Sequence, residues 1–235
     1  MQARRPHAYP FHTLLVTLFR HPLFQALPQP ALQELALGAG SRRLLQGATL
    51  HHEGDPARHF FILVHGQIKL HRLSGDGQER VLEIVRPGDV FAETPLFDEQ
   101  PHYRLSATAL RETLVLQVQN ACYQRLLQQH PPLAQAMLAR LSQRLNRRLD
   151  DIDNLATSNA NHRVARFLIL AQESDSGIVN LDVPKRLIAS KLGIQPETFS
   201  RILHRLISAG LIRVHNRRIE ILDPLNLAAY QREAG

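Results

Sequence analysis

The sequence has one cysteine, Cys122, no tryptophan and two methionines in 235 residues. A single thiol excludes an intrachain disulfide and any thiolate cluster built within the chain, and so excludes an iron–sulfur cluster held by this chain alone. Long apolar runs are lacking too. The longest, such as Phe60-Phe61-Ile62-Leu63-Val64, are strand-length and far short of the roughly 20 residues that a membrane span needs. Met1–Pro10 carries Arg4 and Arg5 but leads into Phe-His-Thr rather than an apolar stretch with a small-residue cleavage site. A cytoplasmic protein with no membrane contact is expected. There is also no phosphate loop, no nucleophile elbow and no H-E-x-x-H pair. His51-His52 has no third ligand close in sequence. The chain is therefore read as a non-enzyme.

What is present is globular: 44% hydrophobic and 21% charged residues, enough for two small domains that each bury a core. A net charge of +7 favours a polyanionic partner, and composition alone does not choose among DNA, RNA and anionic lipid. Position says more. Of 28 basic and 21 acidic residues, 11 and 7 lie from Asn161 onward, which makes the last third the more basic per residue.

From about Leu44 to Val118 the pattern predicts short strands (Phe60–Val64, Gln67–His71, Arg80–Val85, Thr113–Val118) between glycine breaks at Gly54, Gly75, Gly77 and Gly88. Regular short strands read as an antiparallel sandwich or barrel, and Ser74–Gln78 is the strongest hairpin turn. From Pro132 the period becomes helical. Leu138, Leu141, Leu145, Ile152 and Leu155 share a seam, Arg148 interrupts it, and Leu149 stands beside the gap. A helix of about 25 residues is longer than one small domain usually buries, so the seam predicts a homodimer. The alternative is an amphipathic helix packed on its own domain. A hinge is expected near Thr157–Asn161, followed by a helix over Arg163–Ala171 capped by Asn159 or Asn161. The domain reading is 1–130 for a sensing domain, 131–158 for the dimerisation helix and hinge, and 159–235 for a DNA-binding domain.

The informative segment is Val183–Ile221. A short helix from Lys185 to Leu192 stops at Gly193, and a second runs from Pro196 through Ser208 with Phe199, Ile202, Leu203 and Leu206 on one side. Glu197, Ser200, Arg201 and His204 take the other side, beside Thr198, as a recognition helix requires. A two-stranded hairpin follows, a wing with Arg217 and Arg218 at its tip where phosphates are met. Lys185, at the start of the first helix, is a further candidate DNA contact. Small helix–helix–hairpin modules also mediate protein contacts, so a non-DNA ligand-binding module is the competing class. A cupin-like enzyme is another, but it needs a cluster of His and carboxylate ligands that cannot be assembled here.

Leu192-Gly-Ile-Gln-Pro-Glu-Thr-Phe-Ser-Arg-Ile-Leu-His-Arg-Leu206 resembles the recognition segment of the CRP/FNR family of bacterial regulators. Glu53-Gly-Asp, the Gly66 turn, Gly88-Asp-Val-Phe-Ala-Glu93, the long helix and Asn161-His-Arg-Val-Ala-Arg166 extend the resemblance over nearly the whole chain. Within the family the chain is similar to the Dnr-like branch, associated with nitric-oxide-responsive control of denitrification. The resemblance implies an α+β fold: an N-terminal antiparallel β-roll of the cyclic-nucleotide-binding type, jelly-roll-like, with N-terminal helices, then a long dimerisation helix, then a C-terminal winged helix-turn-helix. It also implies RNA polymerase as a partner and, through Glu197, Ser200 and Arg201, a TTGAT-like half-site. Chemistry agrees, since Arg201 can donate twice to guanine and Glu197 can accept from cytosine N4.

For the effector, the resemblance aligns Tyr103 and Arg104 with the Arg-Ser pair that holds phosphate in cyclic-AMP-binding relatives, and Ala92 and Pro95 with glycines. Glu93 matches the acid that contacts ribose. Cyclic AMP is disfavoured, and haem b is the option the branch implies, with His21 as candidate iron ligand and His102 as a weaker effector contact. The haem histidine of the carbon-monoxide sensor corresponds to Thr94 here. A cofactor-free regulator, or one answering another small ligand, is the alternative.

Overall fold

The computed structural model describes residues 11–73, 75, 79–157, 159–172 and 177–233. Two compact units, Met1–Gln143 and Arg144–Gly235, make up the chain. The first begins with α1 (Phe11–Arg20), a 3-10 turn (Pro22–Phe24) and α2 (Gln29–Leu37). Eight strands follow: β1 (Ala39–Leu44), β2 (Thr49–His51), β3 (His59–His65), β4 (Ile68–Leu73), β5 (Glu79–Val85), β6 (Val90–Phe91), β7 (Ser106–Ala109) and β8 (Thr113–Gln119). A second 3-10 turn, Thr94–Phe97, lies between β6 and β7. Next come α3 (Asn120–Gln129) and α4 (Pro131–Thr157). After it stand α5 (Ala160–Leu170), β9 (Ile178–Asn180), α6 (Lys185–Lys191), α7 (Pro196–Ser208), β10 (Ile212–His215), β11 (Arg218–Ile221) and α8 (Pro224–Glu233). The α+β class, with an antiparallel β-roll and a helix-turn-helix, is as expected.

The roll is two four-stranded antiparallel sheets, β1-β8-β3-β6 and β2-β7-β4-β5. Alternation explains the apolar run of β3, because successive side chains leave opposite faces of a strand and here both faces are covered. Phe60 and Ile62 join Leu18, Phe24, Leu35, Tyr123, Leu126 and Met137 in a core between sheet and helices. Phe61 and Leu63 join Leu44, Leu70, Phe91, Tyr103 and Val115 between the sheets. Gly66 turns the chain from β3 to β4 at φ +97°, where a Cβ would overlap Thr113 Oγ1 and lie 2.5 Å from Glu112 O; this is a position for glycine alone. The predicted turn Ser74–Gln78 lies outside the described residues except for Gly75, while Leu73 pairs with Glu79 across it.

Two prolines open α4. Pro131 disfavours helical backbone at His130, which sits at φ −126° and ψ 84° and breaks the chain between α3 and α4; proline is tolerated in the first turn of a helix. The second unit corrects one expectation. The sequence predicts a two-stranded hairpin for the wing, but β9 pairs with β11 to make a three-stranded sheet, β10-β11-β9. A three-residue strand carries too little pattern to be recognised from sequence.

Candidate nucleic-acid interface and effector domain

In the second unit, α6 stops at Gly193, whose φ of +64° is open to glycine. Ile194 N donates to Ala189 O at 3.0 Å and Gly193 N to Ser190 O at 3.1 Å, which closes the turn tightly. Arg163 Nη2, on α5, braces it by donating to Gly193 O at 3.4 Å. The second helix, α7, starts with Pro196 and carries Glu197 in its first turn, suited to the positive end of the helix dipole. Phe199, Ile202, Leu203 and Leu206 are buried, and Glu197, Ser200, Arg201, His204 and Arg205 are exposed. Thr198 is half-buried, and Lys185 is exposed at the start of α6. Sequence periodicity alone separates these two faces, because a helix repeats every 3.6 residues.

The wing pairs Ile212 with Ile221, Val214 with Ile219 and His215 with Arg218, leaving Asn216 and Arg217 at the tip. Asn216 takes φ +53°, a left-handed conformation that asparagine tolerates. Arg217 and Arg218 are exposed. Arg213 pairs with Glu220 at 3.1 Å, so its charge is partly neutralised on the wing's flank.

The roll interior is filled by its own rings. His51 stacks on Tyr103 with centroids 3.7 Å apart and planes 19° from parallel, and on Phe61 at 5.6 Å and 16°. Phe61 in turn stacks on Phe91 at 5.3 Å. Tyr103 Oη donates to His59 O at 2.9 Å, and burial pushes its phenol up to about 12. Backbone bonds zip the Tyr103 segment onto residues 54–57: Gly54 N to Tyr103 O at 2.8 Å, Tyr103 N to Asp55 O at 2.9 Å and Ala57 N to Pro101 O at 2.8 Å. Arg104 turns to Asp98 at 2.9 Å, and Arg72 Nη2 donates to Arg104 O at 2.8 Å. Glu93 is fully buried. His102 is exposed, with Nδ1 3.0 Å from Gln100 O.

His21 is placed elsewhere, on the helical side of the sheet. It is buried, its Nδ1 accepts from Leu23 N at 3.2 Å, and Nε2 lies 3.0 Å from Gly88 O. Accepting at Nδ1 puts the proton on Nε2, which then donates to Gly88. On α4, Leu138, Leu145 and Leu149 are 64%, 59% and 54% exposed, whereas Leu141 is half-buried against its own core. The side chains of Ile152 and Leu155 lie outside the described residues.

Comparison with known proteins fits this architecture. A model of the cyclic nucleotide-binding domain matches residues 41–130, and one of the Crp-like helix-turn-helix domain matches residues 162–230. The cyclic AMP receptor protein of Thermus thermophilus is 31% identical over 203 residues, covering 86% of this chain and 93% of its own. The chain belongs to the CRP/FNR family of transcription regulators. DNR from Pseudomonas aeruginosa is 39% identical, with 98% of this chain and 100% of that one covered, at a TM-score of 0.50. FixK2 from Bradyrhizobium japonicum is 25% identical at a TM-score of 0.71, with 82% and 96% covered.

For a CRP/FNR-type regulator the two candidate sites fare differently. The DNA-reading candidates of α7 share one exposed face, and the wing arginines belong to the same unit. The effector candidates do not converge: Tyr103 lies between the two sheets and His21 lies against the helices. His21 does not fit the role of a haem ligand here, because both of its nitrogens are engaged. Sequence does not show that His51 is buried against Tyr103. The alternation of a three-residue strand is too short to show which way it faces.

Proposed function

We propose that this regulator acts as a homodimer that reads a TTGAT-like inverted repeat through α7, with its DNA affinity set by an effector of the β-roll. The observation that carries the reading is the exposed row Glu197, Ser200 and Arg201 on the face of α7 opposite its buried residues. Arg201 offers the bidentate donor pair that guanine O6 and N7 accept, and Glu197 the acceptor for cytosine N4. Leu138, Leu145 and Leu149, exposed on α4, support pairing with a second copy. Two α7 helices related by a two-fold axis would then read half-sites about one helical turn apart. RNA polymerase is the further partner that the family resemblance implies, and the cytoplasm the compartment.

Cyclic AMP is disfavoured as the effector, because Tyr103 and His51 fill the interior and Arg104 is turned to Asp98. The identity with DNR supports the Dnr-like branch, and it is the resemblance to that branch that implies nitric oxide as the signal and haem b as the cofactor. The engaged nitrogens of His21 favour a second reading, a regulator that answers a small ligand without that ligation.

Arg201→Ala should weaken binding to a TTGAT inverted repeat by about 1–3 kcal/mol and relax discrimination at one base pair. Unchanged binding would sink the DNA-reading role. Haem titration of the purified chain separates the two effector readings. A stoichiometric Soret band with nitric-oxide-dependent DNA affinity supports the first, and loose haem binding with unchanged affinity supports the second.

A further inference from the structure

The segment Gly88–Leu96 frames the roll and includes the family-like motif Gly88-Asp-Val-Phe-Ala-Glu93. Its first residues are anchored to the sheet: Gly88 N donates to Leu63 O at 2.8 Å, Leu63 N to Asp89 O at 2.9 Å, and β6 pairs with β3 through Val90 and Phe91. Beyond Phe91 it leaves the sheet. Ala92 holds φ +59°, a left-handed conformation that costs a residue with a Cβ roughly 1–2 kcal/mol, and Glu93 is buried directly after it. Strained backbone of this kind persists only where its surroundings hold it.

Three side chains from outside the sheet hold it. His21 Nε2 donates to Gly88 O at 3.0 Å from beside the first 3-10 turn. Arg140 Nη2 donates to Val90 O at 3.3 Å from α4. Gln124 Nε2 donates to Leu96 O at 2.5 Å from α3. Each takes a carbonyl of the same nine-residue segment. Leu133 and Met137 of α4 share the apolar core with Val90 and Leu96 of the segment, so Arg140 adds a directed hydrogen bond to a packed contact between helix and loop.

We propose that His21, Gln124 and Arg140 form a clamp that ties the effector loop to the first 3-10 turn, α3 and α4, and that Arg140 is the positioning residue through which the loop and the long helix sense each other. The inference rests on the regulator reading, because it gives α4 something to relay. It also assigns His21 a structural task in place of iron ligation. A two-state element biased from either end couples reciprocally, so DNA binding must be felt at the loop even when the natural effector is unknown.

The experiment measures amide hydrogen exchange of residues 86–97 in the full chain, with and without a saturating duplex bearing a TTGAT inverted repeat. In the natural chain, DNA should change exchange in this segment by about fivefold or more. Arg140→Met, which keeps the stem and removes the donors, should bind the duplex yet lose most of that response, and Arg140→Lys should restore part of it. If Arg140→Met does not fold, Gln124→Met, at an exposed position of α3, makes the same comparison. A loop that ignores bound DNA in the natural chain, or responds equally in the variant, overturns the clamp. A natural chain that binds no such duplex overturns the regulator reading itself, and the clamp's relay role with it.

Discussion

The imidazole of His51 lies against the ring of Tyr103, buried in the interior of the roll. Burial holds the ring neutral and lowers its pKa to about 4, with Asp55 opposing the shift. Between pH 6.5 and 4 the unfolded chain therefore binds a proton that the folded chain refuses, and stability falls as pH falls through that window. His51 alone should contribute a loss of up to about 3 kcal/mol. His51→Phe, which keeps the stack, should flatten that part of the curve. Urea titrations at pH 7 and 4.5 check it, and equal pH dependence in both chains would refute it.

Ala92→Gly should raise stability by about 0.5–1 kcal/mol, because glycine enters the left-handed region freely, although the unfolded chain gains entropy in exchange. The urea midpoint reads this directly. A lower midpoint would mean that the methyl group's packing against the roll core outweighs the backbone strain.

Gly66→Ala should cost about 2–4 kcal/mol, since it combines positive φ with overlap against Thr113 and the Glu112 carbonyl. Thr113 cannot simply move aside. Its Oγ1 accepts from Gln67 N at 3.2 Å and donates to Arg111 O at 2.8 Å. Thermal unfolding tests this, and an unshifted midpoint would show that the turn relaxes.

Arg217→Ala should weaken binding to specific and random duplexes alike and lower the slope of log K against log salt by about one. The wing-tip arginine is exposed beside Asn216, with its backbone carbonyl held by Leu181 N at 2.7 Å. A change confined to one sequence would instead assign Arg217 to base reading.

The helix-turn-helix was legible in the sequence because its determinants are local. Gly193 ends one helix, Pro196 starts the next, and the buried positions of α7 recur at helical spacing within thirteen residues. The α4 seam was legible in part: Leu138 and Leu145 face outward, while Leu141, in the same pattern, turns to its own core. Periodicity states that a stripe is apolar and does not say which surface covers it.

By itself, then, the sequence determined the fold class, the helix-turn-helix and the family, all of which rest on short-range pattern and motif. Only the tertiary structure decided the rest. Tyr103 comes to His51 across 52 positions, Gly88 to His21 across 67 and Val90 to Arg140 across 50. A side chain's burial, tautomer and partners are set by strand pairing and packing at such separations, where no local periodicity carries the information.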